Sequence, residues 1–246
     1  MHTLKDKTYL ITGSNSGIGK QVTLLLLECG AKVYMVDKNT DEIERIASQH
    51  SNQSSYLQFD LSHPEQVSRI FDKAKEEGYL FDGMVYCAGI SPLMTLHDFD
   101  YTTCLLTYTI NLFSFIAMLT YFTNEHYTNN GSSVVGLSSN AAEYGGNRQS
   151  IYSSTKSAMN LIAKSCAKEL AQRKTRVNTV MPSITNTEMV AELRTQSEAI
   201  DLKVKYNQPF GIIDPKELAK TILFLLSDAS NTISGTAMRV NNGEAY

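Results

Sequence analysis

The run Thr8-Tyr9-Leu10-Ile11 is short and apolar. It breaks at Thr12-Gly13-Ser14-Asn15-Ser16-Gly17-Ile18-Gly19, and a helical pattern follows from Lys20 to Cys29. Few folds pass from a strand through a glycine-rich turn straight into a helix. Glycine allows positive φ and lets another group approach the backbone closely. The helix that follows aims unpaired N–H groups and its positive dipole end at the turn, which suits a pyrophosphate. A second strand-like run, Lys32-Val33-Tyr34-Met35-Val36, ends in Asp37, 18 residues after Gly19. A carboxylate there can accept hydrogen bonds from both ribose hydroxyls of an adenosine. A glycine cluster alone is usually an ordinary turn. Strand, glycines, helix, strand and acid in this order instead mark a nucleotide-binding unit.

The rest of the chain continues the alternation. Strands are expected near 7–11, 32–37, 55–60, 82–88, 133–138, 175–181 and 236–240. Helices are expected near 17–29, 40–49, 64–77, 98–126, 150–173 and 214–227. Such a series implies right-handed crossovers and an α/β fold, a doubly wound parallel seven-stranded sheet with helices on both faces. No internal linker or repeat interrupts it, so the 246 residues read as a single domain. The stretch 186–213 breaks the rhythm with a weak helical pattern. It follows a strand end, where α/β folds bind ligands, and is expected to form a substrate lid over the site.

A second chemical pattern lies in SSNAAEYGGNRQSIYSSTK. Tyr152 and Lys156 are four residues apart and share a helix face. Ser139 lies thirteen residues before Tyr152, at the end of an apolar strand-like run. A phenol beside an ammonium is a tunable acid/base. A positive charge at ~4.5 Å, at an effective dielectric of ~20, favours phenolate by about 3–4 kcal/mol, or about 2.5 pKa units. Ser138 and Ser139 compete for the substrate-facing place, because adjacent strand residues point to opposite faces.

These pieces together resemble the short-chain dehydrogenase/reductase family over essentially the whole chain. The resemblance rests on TGxxxGxG from Thr12 to Gly19, Asp60-Leu61, Ala88-Gly89, Asn111, Ser139, Tyr152 with Lys156, and Pro182 with Thr187. It implies a Rossmann-type domain, a nicotinamide cofactor and a catalytic set of Asn111, Ser139, Tyr152 and Lys156. It further implies that Gly13, Ser14, Asn15, Ser16, Gly17, Ile18 and Gly19 cradle the cofactor. Asp37, Asp60, Leu61, Cys87, Ala88 and Gly89 would hold its adenosine half, and Pro182, Ile184 and Thr187 its nicotinamide half. Asp60 would reach the adenine amino group, and Asn111 would kink its helix and hold a water that links Lys156 to solvent. Three departures from the family pattern stand out. Cys87 replaces an Asn that ties neighbouring strands, Ser183 replaces a Gly after Pro182, and Asn241-Asn242-Gly243 replaces Asp-Gly-Gly. Ser resists the positive φ that Gly adopts, so a reshaped loop is expected after Pro182.

The expected reaction is NAD(P)-dependent interconversion of a secondary alcohol and a ketone, with Tyr152 as general acid/base. Asp37 favours NAD, since it would repel a 2′-phosphate; NADP is the lesser alternative, with Lys38 as a partial offset. Small polar residues from Asn140 to Asn147 suggest a small polar substrate. A 3-oxoacyl-thioester reductase and a non-catalytic dinucleotide sensor are the alternatives; enoyl reduction usually widens the Tyr-to-Lys spacing, and extended epimerases carry a larger C-terminal region. Net charge is −3, which advertises no face for nucleic acid or an anionic membrane. Four scattered cysteines and five scattered histidines suggest reduced thiols and no metal site. With no targeting peptide or membrane-spanning run recognised, a cytoplasmic location is expected. Apolar residues on the helices near 98–126 and 150–173, among them Leu105, Leu106, Leu112, Phe113, Ile116, Met118 and Leu119 on the first, exceed what one sheet face covers. A homotetramer, or a homodimer, is expected.

Overall fold

Side-chain alternation along the strands decides the architecture. On β1 (Thr8–Thr12), Leu10 belongs to one hydrophobic cluster while Tyr9 and Ile11 belong to another. The strand therefore needs cover on both faces. The computed structural model describes residues 4–196 and 199–244. After β1 come α1 (Gly17–Glu28), β2 (Lys32–Asp37), α2 (Asp41–Gln49), β3 (Ser54–Gln58), α3 (Ser68–Glu76), β4 (Phe81–Tyr86), α4 (Tyr101–Tyr108) and α5 (Ser114–Tyr121). These are followed by β5 (Thr128–Leu137), α6 (Ala141–Tyr144), α7 (Ser150–Glu169), β6 (Arg176–Pro182), α8 (Glu188–Gln196), α9 (Ala199–Asn207), α10 (Pro215–Leu226) and β7 (Ala237–Val240).

All pairings are parallel, in the order β3-β2-β1-β4-β5-β6-β7. On one face α3, α5 and α7 bury Ile70, Phe71, Phe115, Met118 and Met159 against Leu10, Tyr34 and Val134. On the other, α1, α2 and α10 bury Val22, Leu26, Ile43, Leu218 and Ile222 against Val33, Met35 and Val135. Each such side chain, removed from water, contributes about 1.5–3 kcal/mol. By length and apolar content Tyr101–Tyr121 could cross a bilayer; here 44% of that window is buried in the protein. The sheet winds outward in both directions from the β1–β4 pair, and this switch point opens a crevice at the carboxyl ends of the strands.

Two elements depart from the sequence expectation. The helix foreseen near 98–126 is broken by a π turn at Thr109–Phe113, between α4 and α5. A further short helix, α6, follows β5. The stretch 186–213 forms the pair α8 and α9; its residues 197–198 lie outside the described residues. Its base is fixed to the sheet end: Gln208 Nε2 donates to the Ile184 carbonyl at 3.2 Å, and Thr185 bridges Ile213.

Candidate active site

One cavity of about 580 Å³ lies over the carboxyl ends of the strands and takes in both sequence patterns. That is an ordinary size for a ligand site. At one end, Gly13 (φ +65°) leaves β1 so close to β4's continuation that a Cβ on it would stand 2.8 Å from the Ala88 nitrogen. A Cβ on Gly19 would stand 2.1 Å from the Gly13 carbonyl oxygen. Positions 13 and 19 of the turn are therefore closed to any side chain. Ser16, the first residue before α1, makes no side-chain cap, and α1 has no acidic residue in its first turn. Its N–H groups remain available to an anion in the cavity, which Ser16, Gly17 and Ile18 border.

Asp37 borders the same end. Its carboxylate accepts the Asn15 N–H at 3.0 Å and the Asn39 N–H at 3.1 Å. Asp60 accepts the Ser62 N–H at 2.8 Å, which holds its carboxyl below the usual range. Leu61, Cys87, Ala88 and Gly89 border the cavity beside it, and Pro182, Ile184 and Thr187 border the far wall. Ser14 and Asn15 do not line the cavity. The Ser14 hydroxyl donates to the Val36 carbonyl at 3.3 Å. The Asn15 side-chain oxygen accepts the Glu42 N–H at 2.9 Å and caps α2. Both support the turn from behind. The residues present fit a dinucleotide: a cradle closed to side chains at Gly13 and Gly19, an uncapped helix terminus and two strand-end carboxylates.

At the other end stand Ser139, Tyr152 and Lys156. The Ser138 hydroxyl is committed to the Lys156 carbonyl at 3.1 Å, so Ser139 is the serine free to face Tyr152. Lys156 Nζ donates to the Leu137 carbonyl at 2.6 Å and lies 5.7 Å from the centre of the Tyr152 ring. The expectation that Lys156 lowers the Tyr152 pKa is not met. Burial pushes Tyr152 up to about 12, with the Ser139 hydrogen bond pulling the other way. Burial also brings Lys156 down to about 8. Removal from water disfavours charge on both groups and is the largest influence on each. Asn111 is fully buried in the π turn. Its side-chain amide donates to the Ile90 carbonyl at 2.9 Å and to Thr155 at 3.1 Å, and its oxygen accepts the Ile90 N–H. It braces the catalytic helix and the loop after β4 from outside the cavity.

A family model described as enoyl-(acyl carrier protein) reductase matches residues 13–244. The chain belongs to the short-chain dehydrogenase/reductase family. It is 28% identical to a vibriobactin-specific 2,3-dihydro-2,3-dihydroxybenzoate dehydrogenase of Vibrio cholerae, over 98% of this chain and 97% of that one. It is 30% identical to a 3-oxoacyl-(acyl-carrier-protein) reductase of Thermotoga maritima, over 98% of each. Among solved structures, a glucose/ribitol dehydrogenase of Brucella melitensis superposes with a TM-score of 0.91 at 26% identity over 100% of both chains. A structure of ElxO with NADP bound superposes with a TM-score of 0.86 at 27% identity, over 97% of this chain and 98% of that one. This short-chain dehydrogenase/reductase is an NAD(P)-dependent oxidoreductase.

The family departures have local explanations. Where Cys87 stands, the Thr12 carbonyl accepts the Cys87 N–H at 3.2 Å and the Thr12 hydroxyl accepts the Ala88 N–H at 3.3 Å, so strands β1 and β4 remain tied. Ser183 does not adopt positive φ, so the loop after Pro182 follows a course that a side chain tolerates. Its hydroxyl donates to Glu244. The same carboxylate accepts the Asn140 amide at 2.8 Å, and Asn241 holds the Glu244 carbonyl at 2.8 Å. Ser183 and the altered C-terminal turn thus meet at one buried carboxylate behind the catalytic loop. Sequence reading missed Glu244, because nothing near it in the chain signals a partner. It also missed the apolar side of the cavity. The loop 140–147 is small and polar as expected, but Leu93, Met189, Val190, Leu193 and Ile200 form the facing walls.

Proposed function

We propose that the protein interconverts a secondary alcohol and a ketone, with NAD(H) preferred over NADP(H). The observation that carries this reading is the single cavity joining the glycine cradle and Asp37 to Ser139, Tyr152 and Lys156. A nicotinamide bound there supplies or accepts hydride. Ser139 orients the reacting oxygen by hydrogen bonding, and Tyr152 gives it a proton in reduction or takes one in oxidation. Burial at about 12 keeps Tyr152 protonated at neutral pH, which favours its acid role. Lys156 holds positive charge beside the phenol as the proton moves. Asn111 keeps the catalytic helix and the Ile90 loop in register. Helices α8 and α9 act as a lid over the substrate.

Asp37 supports NAD, since a 2′-phosphate beside it meets like charge; Lys38, which also borders the cavity, offsets part of that repulsion. A 3-oxoacyl-thioester reductase is the second reading, favoured by the apolar walls and by the Thermotoga relative. Leu105, Leu106 and Phe113 on the α4–α5 stretch and Leu161 on α7 remain 42–65% exposed, which supports assembly into a homotetramer or homodimer through these helices. The four cysteines are free thiols, in keeping with a cytoplasmic enzyme. The test is an absorbance screen at 340 nm with NAD and NADP against polyols, hydroxy acids and 3-oxoacyl thioesters. Turnover of an alcohol or ketone that vanishes in Tyr152→Phe supports the reading; undiminished turnover in that variant overturns it.

A further inference from the structure

Three cations border the cavity: Lys38, Lys156 and Arg148. Lys38 neighbours Asp37 at the nucleotide end, and the Lys156 ammonium is bonded to Leu137 at the reacting centre. Arg148 has no such employment. It stands in the loop between α6 and α7, four residues before Tyr152. Its φ is +60°, a conformation that side chains other than Asn and Asp seldom adopt. Strain of this kind persists where the surroundings enforce it, and it concentrates at functional sites. The enforcement is visible: the Arg148 carbonyl accepts the Met94 N–H at 2.8 Å, and the next residue, Gln149, donates to Ser91 at 3.1 Å. The backbone is thereby clamped to the opposite loop, next to Leu93.

The exposed guanidinium makes no hydrogen bond or ion pair among the described residues. The carboxylates of Glu143, Asp98 and Asp100 on the neighbouring segments are engaged. Glu143 pairs with Arg239 at 2.6 Å, Asp98 accepts the Thr95 hydroxyl at 2.6 Å, and Asp100 caps α4 through the Thr103 N–H at 2.7 Å. Glu244 is held by Ser183 and Asn140. Glu188 lies over Gly17, with its Oε2 3.5 Å from where a Cβ on that glycine would be. Leu93, Met189, Val190, Leu193 and Ile200 give this end hydrocarbon walls, beside the polar Ser91, Asn147 and Gln149. An unpaired arginine beside these apolar walls fits a ligand with an anionic end and an apolar body. The planar guanidinium fork matches a carboxylate.

We propose that Arg148 binds the carboxylate of the substrate, which makes the substrate a hydroxy or oxo acid. Its hydrocarbon skeleton lies against Leu93, Met189 and Leu193, and its carbinol carbon lies at Ser139 and Tyr152. The inference rests on the alcohol–ketone reading and specifies its substrate class. In reduction the carbonyl carbon gains hydride from the nicotinamide and its oxygen takes the Tyr152 proton; oxidation is the reverse and starts from the deprotonated phenol, and the carboxylate is unchanged.

The test compares 4-hydroxycyclohexanecarboxylate with its methyl ester as substrates. It also compares cyclohexanecarboxylate with cyclohexanecarboxamide as inert ligands, titrated into enzyme saturated with NADH and followed by nicotinamide fluorescence. The expected result is a preference for acid over ester in kcat/KM, and for acid over amide in Kd, of at least about tenfold. Arg148→Gln removes both preferences, mainly by raising KM for the acid, and Arg148→Lys restores part of them. Equal binding of acid and amide by the wild type, or acid binding undiminished in Arg148→Gln, overturns the subsite. Greater loss in that variant with a 3-oxoacyl thioester than with the acid also overturns it, pointing to a thioester carrier instead. If the ester serves as well as the acid, the subsite falls and the alcohol–ketone reading stands. If no alcohol or ketone is turned over while cyclohexanecarboxylate binding still needs Arg148, the subsite stands and the alcohol–ketone reading falls.

Discussion

The two ends of the cavity are built from different materials. The nucleotide end is made largely of backbone: a turn with no room for a side chain at Gly13 or Gly19, the N–H groups of an uncapped helix, and two strand-end carboxylates fixed by main-chain donors. The substrate end is made of side chains delivered from distant segments: the loop after β4, the α6–α7 loop and the α8–α9 pair, with Glu244 after β7 holding Asn140 from behind. Backbone constraints demand particular residue types at particular spacings, whereas side-chain walls accept many solutions of similar volume. The first end therefore serves a shared cofactor and the second an individual substrate.

Tyr152→Phe gives the largest expected effect and divides the two ends sharply. It keeps the ring and removes the proton, so turnover falls by at least about 10²-fold. NADH affinity, measured by fluorescence titration, stays within a factor of about two. A parallel loss of both would mean that the ends are not separable.

Lys156→Met comes next and concerns stability. The folded pKa, about 8, lies below the ordinary value of 10.5. Below pH 8 both folded and unfolded chains hold the proton, and the burial penalty acts in full. Between about pH 8 and 10.5 the native protein releases the proton while the unfolded chain keeps it, so stability rises with pH across that window. Above about pH 10 the raised pKa of Tyr152 acts in the opposite sense, because the native state keeps a proton that the unfolded chain loses. Replacing Lys156 by Met removes the penalty and also the hydrogen bond to Leu137. A net gain of about 2 kcal/mol at pH 7 is expected, with no activity and no rise between pH 8 and 10 in urea unfolding.

At the nucleotide end, wild type is expected to bind NADH at least about tenfold more tightly than NADPH, about 1.4 kcal/mol, and Asp37→Ser to erase the difference. Equal affinities in the wild type would remove Asp37 from specificity. The smallest effect is expected from Glu244→Gln, which exchanges a charged acceptor for a neutral one beside Ser183 and Asn140. Stability should drop by about 1 kcal/mol, with a rise in substrate KM rather than in NADH Kd.

The same contrast explains what could be read from the residues alone. The strand order, the glycine turn and Asp37 follow from local rules, and so does the shared face of Tyr152 and Lys156. The π turn at Thr109–Phe113 does not, because it is one extra residue in an otherwise ordinary apolar helix. The burial of Tyr152 and Lys156 does not follow from their spacing either, because a shared helix face says nothing of the water both groups lose. Arg148 looks like any loop arginine until its φ and the clamp to Met94 are known. Glu244 has no periodic or motif signal at all.

Glu244 joins groups 61 and 104 residues away along the chain, across strands that lie two apart in the sheet. Contacts of such separation are the slowest to find, since a long loop must close before they reward it. Recovery of function after denaturation should therefore trail recovery of helical circular dichroism. The interval between the two would time the moment at which the last strand docks on β6 and draws the catalytic loop into place.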